Sequence, residues 1–181
     1  MRVLMIISQG MEDVESLATR ALLERAGVTV EMSTFDMQEF ITTAFGVSVL
    51  SDLPSEAIQI ESYDGLIIPG GGYVAEIIDA DPGIAALAQD FFAAGKMVAA
   101  ICAAPRFLGR AGLLDGRQYT AYPGSEIDMP SGQLRQDLKA VTDGAIITAR
   151  GAGAVYEFSY QIIKYLMGEN SAQALLESIV F

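Results

Sequence analysis

The sequence predicts an α/β fold in three layers, with a mostly parallel central sheet covered by helices on both faces. Two observations support this prediction. Short apolar, β-prone runs alternate along the chain with stretches whose apolar residues recur at helical spacing. The runs are also apolar at nearly every position, as expected for parallel strands that are buried on both faces.

The apolar runs define the predicted strands, and the helical patterns lie between them. Strands are predicted at residues 2–7, 28–33, 64–68 and 96–101, with 118–121 and 145–149 as further candidates. Helices are predicted at residues 12–26, 73–95 with a break near Pro82, 103–112 and about 171–178, and an amphipathic helix opened by residues 150–153 carries apolar residues from Val155 to Leu166. Residues 34–62 show no clear pattern except a possible short hairpin around Gly46.

Composition limits the possible functions. The chain has 181 residues, enough for one domain that spans residues 1–181. Its net charge of −12 argues against binding to nucleic acid or to an anionic membrane surface, both of which need clustered Lys and Arg. No apolar run approaches the roughly 20 residues that a membrane span requires.

The counts of cysteine and histidine are also informative. A single cysteine cannot form an internal disulfide, so a reducing, cytoplasmic location is expected. Histidine is absent, which removes the commonest general base and the commonest metal ligand. We therefore expect neither a metal nor a cofactor.

Cys102 is the first candidate functional residue. It lies where a predicted buried strand turns directly into a helix, the geometry of a nucleophile elbow. A helix N-terminus favours negative charge, so we expect it to lower the pKa of the thiol. The alternative is that Cys102 is a small buried hydrophobe with no reactivity.

Three further places adjoin predicted strand ends. Glu15 lies in the first turn of the first helix and is predicted to face a crevice at the strand ends, although acids favour helix N-termini for structural reasons too. Residues 70–72 are glycines whose N–H groups suit an oxyanion or simply a tight turn. Arg150 is either part of a structural turn or a wall of the site.

Four segments together resemble the ThiJ/PfpI superfamily, most closely the branch of the parkinsonism-associated protein deglycase. They occur in the family order: Gly10-Met11-Glu12-Asp13-Val14-Glu15, Ile67-Ile68-Pro69-Gly70-Gly71, Ala100-Ile101-Cys102-Ala103-Ala104-Pro105 and Arg150-Gly151-Ala152-Gly153. The resemblance implies a flavodoxin-like fold and a homodimer. It also implies that Cys102 is a reactive, oxidisable cysteine, with a pKa lowered by Glu15, and that Gly71 and Ala103 supply oxyanion-binding N–H groups.

One position departs from the family pattern. Where the branch usually has a histidine near the cysteine, this sequence has Tyr122, which is a poor base at neutral pH. A Cys-His peptidase or amidotransferase is therefore excluded by the absence of histidine. We place Tyr122, Gly70 and Arg150 in the wall of the site.

Two functions are consistent with these residues. The first is cofactor-free glyoxalase or deglycase chemistry, in which Cys102 adds to a small dicarbonyl or glycated substrate and Glu15 moves protons. The second is non-enzymatic: oxidation of Cys102 would make the protein an oxidative-stress sensor or a chaperone.

Overall fold

A computed structural model describes residues 1–36 and 38–181. Its strands, in chain order, are β1 (Arg2–Ile6), β2 (Thr29–Thr34), β3 (Phe40–Thr42), β4 (Ser48–Leu50), β5 (Leu53–Pro54), β6 (Gly65–Ile68), β7 (Met97–Ile101), β8 (Gln118–Tyr119), β9 (Gln133–Leu134), β10 (Ala140–Asp143) and β11 (Ile146–Ala149). Seven of them form the central sheet in the order β10-β11-β7-β6-β1-β2-β5. All neighbouring pairs are parallel except β10 and β11. The predicted mostly parallel, flavodoxin-like sheet is thus confirmed.

The helices form the outer two layers. They are α1 (Thr19–Arg25), α2 (Tyr73–Ile77), α3 (Gly83–Ala93), α4 (Pro105–Arg110), α5 (Val155–Met167) and α6 (Glu169–Ser178). Helix α5 contacts both α1 and α6 in one layer, and α3 contacts α4 in the other. Within the described residues, no helix has the length and apolar character needed to cross a bilayer.

The core lies along the three middle strands. Every residue of β6 and β7 is buried, as are the last four residues of β1. Continuous burial on both faces explains why these runs are apolar at successive positions instead of alternating. Because the three strands are parallel and adjacent, their carboxyl ends meet at the same edge of the sheet.

Most predicted elements are present, with changes at the edges. The hairpin around Gly46 exists as β3 and β4, and the break near Pro82 separates α2 from α3. Residues 118–121 contribute only β8, which pairs with β9 outside the central sheet. The antiparallel edge strand β10 was not predicted, because Val141 is its only buried residue.

Candidate functional site

The site lies at the carboxyl edge of the sheet, where the segments after β1, β6 and β7 converge. The Glu12 N–H donates to the Gly70 carbonyl oxygen at 2.9 Å, and Met11 forms an isolated antiparallel bridge with Gly71. These contacts join the segment after β1 to the segment after β6. Cys102 directly follows β7 and completes the group.

Cys102 occupies a strained elbow. Its φ of 64° lies in the left-handed region, which a non-glycine residue rarely adopts. Two hydrogen bonds hold this conformation: the Cys102 N–H donates to Ala149 O at 2.8 Å, and the Tyr122 N–H donates to Cys102 O at 2.8 Å. Cys102 as a whole is only partly buried.

Glu15 reaches Cys102 from an unusual turn. Residues Val14–Ala18 form a π-helical turn ahead of α1, a feature that is frequent at functional sites. The Glu15 side chain is only 1% exposed, and its Oε2 accepts the Gly70 N–H at 3.0 Å. Its carboxyl group also lies within hydrogen-bonding reach of the Cys102 thiol. The two residues proposed from the sequence as catalytic are therefore in direct contact.

The electrostatics of this pair differ from the prediction. Burial raises the pKa of Glu15 to about 7, and the nearby charge of Glu12 acts in the same direction. Burial, followed by the negative charge of Glu15, raises the pKa of the Cys102 thiol, although the Ala103 N–H opposes this. This direction is opposite to the lowered thiol pKa that the sequence led us to expect. A carboxylate beside a thiol disfavours a second negative charge, and α4 is only six residues long.

Gly70 makes the contact between Glu15 and Cys102 possible. A Cβ at this position would lie 2.6 Å from the Cys102 Cβ and 2.6 Å from the Glu15 Oε2. Any side chain would therefore push the thiol and the carboxyl group apart. Sequence analysis placed Gly70 in the wall of the site, and the structure places it between the two functional groups.

One of the two predicted oxyanion donors, Ala103, lies beside the sulfur, and the other, Gly71, packs against the segment after β1. The Ala103 N–H points at Cys102, as its effect on the thiol pKa indicates. Gly71 has a φ of 133°, and a Cβ there would lie 2.5 Å from Gly10 O, so only glycine fits. In the part of the chain that the structure describes, the Gly71 N–H has no hydrogen-bond acceptor.

A pocket of about 710 Å³ lies next to the segment that follows β11. Its lining includes Tyr122, Arg150 and Gly151, so two of the predicted wall residues face it. A Cβ built on Gly151 would lie 4.0 Å from the Cys102 Sγ and 3.6 Å from the Tyr122 ring. Gly151 therefore links the wall of the pocket to the sulfur.

Glu12 and Ala152 contribute to the site although the sequence did not predict it, and the structure also shows where the polar segment after Pro123 lies. Glu12 accepts the Glu15 N–H at its Oε2 at 2.7 Å, and the Ala152 N–H lowers the Glu15 pKa. In the polar segment after Pro123, Glu126 lines the pocket, whereas Asp128 is held by Arg106. The contacts of Ala152 and Asp128 join segments far apart in sequence, so spacing gave no signal for them, whereas Glu12 lies only three residues before Glu15.

The described residues hold no group of three or more His, Cys, Asp or Glu side chains arranged to bind a metal ion. The site consists instead of one thiol, one buried carboxyl group and backbone N–H donors. Such a set can add a sulfur nucleophile to a carbonyl group, transfer protons and stabilise an oxyanion.

Comparison with known proteins places the chain among relatives that share nearly its whole length. The family model described as the DJ-1/PfpI family matches residues 1–165. A deglycase of Pyrococcus abyssi is 34% identical over 167 residues, covering 92% of this chain and 99% of the relative. Protein dj-1beta of Drosophila melanogaster is 28% identical over 178 residues, covering 98% of this chain and 95% of the relative.

Solved structures show the same fold. The crystal structure of Drosophila melanogaster DJ-1beta has a TM-score of 0.90 at 27% identity, covering 99% of this chain and 97% of that chain. Oxidised Toxoplasma gondii DJ-1 has a TM-score of 0.89 at 27% identity, covering 99% and 98%. Together with the site geometry and the family match over most of its length, these likenesses show that the chain belongs to the DJ-1/PfpI family.

Proposed function

We propose that this protein is a cofactor-free enzyme that uses Cys102 to convert small dicarbonyls or glycated substrates, in the manner of a glyoxalase or deglycase. The observation that carries the proposal is the contact between the only thiol of the chain and a buried carboxyl group with a pKa of about 7. A base is most effective when its pKa lies near the working pH. Relatives named deglycases support this reaction class.

Glu15 acts as the general base in the first step. As the Cys102 sulfur bonds to the aldehyde carbon of methylglyoxal, the thiol proton moves to the ionised Glu15 carboxylate. The C=O electron pair moves to oxygen, which accepts hydrogen bonds from the N–H groups of Gly71 and Ala103. The thiol therefore needs no lowered pKa, since it loses its proton only as the new bond forms.

Two further steps complete the reaction. Glu15 first passes the thiol proton to the oxyanion, which gives the neutral hemithioacetal and restores the carboxylate. The carboxylate then takes the proton of the former aldehyde carbon and delivers it to the neighbouring carbon, while the hydroxyl proton moves to the neighbouring oxygen, and the product is a thioester of lactate. Water then hydrolyses the thioester and returns the proton to the Cys102 sulfur. The net reaction adds one water to methylglyoxal and gives lactate.

The turnover number that we expect depends on Tyr122. The phenol is a wall residue and a poor base at neutral pH, so Glu15 performs every proton transfer alone. We therefore expect slow turnover, and Tyr122→His is expected to increase kcat because a second base then faces the site.

A sensor or chaperone function based on oxidation of Cys102 is the second candidate. With a pKa of about 7, Glu15 carries a proton in a large fraction of molecules at neutral pH and can donate it to a sulfinate oxygen. The Ala103 N–H points at the same sulfur. Because the chain has no second cysteine to form a disulfide, oxidation would stop at the sulfinic acid.

We also propose that the protein is a cytoplasmic homodimer. The β3–β4 hairpin carries exposed apolar side chains, with Phe45 78% and Phe40 62% exposed. Asp13 binds the hairpin through the Thr43 hydroxyl at 2.6 Å, so this surface is continuous with the segment that carries Glu15. A second copy of the chain would cover an apolar area of this kind.

The test measures methylglyoxal consumption and lactate formation by the wild type, Cys102→Ser and Tyr122→His. Cys102→Ser should lower kcat/KM by roughly 100-fold or more, because serine is a much weaker nucleophile here. Equal rates for the wild type and Cys102→Ser would exclude the enzymatic function. In parallel, intact mass after mild peroxide treatment should show two added oxygens that Cys102→Ser does not acquire; the sensor function fails if both proteins gain the same mass.

A further inference from the structure

The pocket beside Cys102 is much larger than a three-carbon dicarbonyl. Its volume of about 710 Å³ equals that of roughly 20 water molecules at ~30 Å³ each. A molecule with five heavy atoms at the sulfur would leave most of this space filled with water. The pocket therefore fits a substrate that extends well beyond its reacting carbonyl group.

Arg150 gives the pocket its positive charge. It is the only cationic residue in the pocket lining, and its backbone is fixed by a hydrogen bond from its N–H to Lys139 O at 3.1 Å. Most arginines of the chain form ion pairs, but among the described residues Arg150 forms none. In a protein with a net charge of −12, a guanidinium that lines a pocket and has no ion-pair partner among the described residues favours an anionic ligand group.

The other charged group in the lining limits the ligand to one negative charge. Glu126 is the only acidic residue of the pocket, and its Oε2 accepts the Gly124 N–H at 2.8 Å. A ligand with two carboxylates would place one of them near Glu126 and be repelled. The remaining lining is neutral and partly apolar, including Leu134 and Pro123.

From these features we propose that the pocket selects carbonyl substrates that carry a single carboxylate, and that Arg150 is the residue that binds it. This role rests on the proposed reaction at Cys102, since Gly151, which lines the pocket, lies next to the Cys102 sulfur. Arg150 acts by binding and orienting the remote end of the substrate, with no part in proton transfer. The preferred substrates are thus carboxylate-bearing oxoaldehydes or adducts, and methylglyoxal alone is a poor one.

The first experiment needs no turnover. Because Cys102 is the only thiol, its modification by 3-maleimidopropionic acid and by the neutral 3-maleimidopropionamide is followed by intact mass. The wild type should favour the acid about threefold to fivefold, corrected for the rates with free cysteine. Arg150→Gln should remove this preference and Arg150→Lys should retain part of it. The matched control is Arg25→Gln, which removes the same charge from an exposed position at the far end of α1 and should keep the preference.

The second experiment uses 4-carboxyphenylglyoxal and its neutral carbamoyl analogue as substrates. The acid should have the lower KM in the wild type and lose that advantage in Arg150→Gln, with a smaller change in kcat. If neither glyoxal is consumed but the maleimide preference depends on Arg150, the proposed function fails and the carboxylate site stands. The carboxylate site is overturned if the wild type shows no preference for the acid. It is also overturned if Arg25→Gln removes the preference as fully as Arg150→Gln does.

Discussion

Two glutamates at opposite edges of the sheet show how their partners decide what a carboxyl group does. Glu31 lies near the amino end, where the Arg2 guanidinium contacts it at 2.7 and 2.8 Å and the Tyr63 hydroxyl donates to it. Glu15 lies at the carboxyl edge, where backbone N–H groups and a thiol act on it and, among residues 1–36 and 38–181, no cation does. Hydrogen bonds from Tyr63 and Arg2 lower the pKa of Glu31, whereas burial raises that of Glu15.

The comparison separates a structural ion pair from a candidate base. Glu31 stays ionised at neutral pH and joins β1, β2 and the segment before β6. Glu15 is poised to gain or lose a proton, which is the property that general-base catalysis needs. The predictions below test this difference, beginning with the largest expected effect.

Glu15→Gln should lower kcat/KM for an oxoaldehyde by roughly 100- to 1,000-fold, because the amide cannot accept the thiol proton. Its oxygen can still accept the Gly70 N–H, so the fold should be preserved. The matched control is Glu31→Gln, which should keep kcat/KM within about twofold. A Glu15→Gln enzyme with half the wild-type activity would show that Glu15 is not the base.

The two carboxyl groups should affect stability in opposite directions as pH changes. The pKa of Glu15 in the folded state, about 7, exceeds its ordinary value of 4.5, so its contribution is fully present below pH 4.5 and is lost as the pH rises through 7. The expected loss is up to about 3 kcal/mol. Glu31, with a lowered pKa, contributes stability that is lost as the pH falls.

Urea unfolding between pH 4 and 8 checks these directions. Relative to the wild type, Glu15→Gln should gain stability as the pH rises from 4.5 to 8. Glu31→Gln should show the reverse trend. Its loss of stability relative to the wild type should be smallest at low pH and should grow as the pH rises. Parallel curves for the wild type and Glu15→Gln would mean that the pKa of Glu15 is not raised.

Gly70→Ala should disrupt the contact between the thiol and the carboxyl group. Its Cβ would lie 2.6 Å from both Cys102 and Glu15, so we expect a loss of about 2 kcal/mol of stability together with most of the activity. Gly72→Ala is the matched control, since its φ is −59° and no atom lies within 4 Å of the added Cβ. Thermal unfolding of both variants measures the difference, and equal destabilisation would argue against tight packing at Gly70.

Glu31→Gln should cost only about 1 kcal/mol of stability at pH 7. Arg2 is 44% exposed and Glu31 25% exposed at their side chains, so water screens the ion pair. Chemical denaturation at low and high salt measures the effect, which should shrink as salt increases. A loss of several kcal/mol would indicate a buried charge pair instead.

The sequence predicted the middle of the sheet better than its edges. Buried strands such as β6 and β7 are predicted by their continuous apolar runs. Strand β10 buries only Val141, so it shows no apolar pattern that would predict a strand. The proximity of Glu15 and Cys102 followed from parallel strands ending at one edge. The direction in which the thiol pKa is shifted could not be predicted in this way. It depends on how completely Glu15 is buried and on the absence of a cation beside it among the described residues.

The role of Glu15 as the base for Cys102 is tested most directly by the pH dependence of kcat/KM for an oxoaldehyde, in the wild type and in Glu15→Gln. Because the carboxylate must be ionised to accept the thiol proton, the wild-type value should rise with pH through an apparent pKa near 7. This rise should be absent from Glu15→Gln. A wild-type profile that is flat from pH 5 to 9 would contradict this role, since it would indicate a thiolate that is already formed without Glu15.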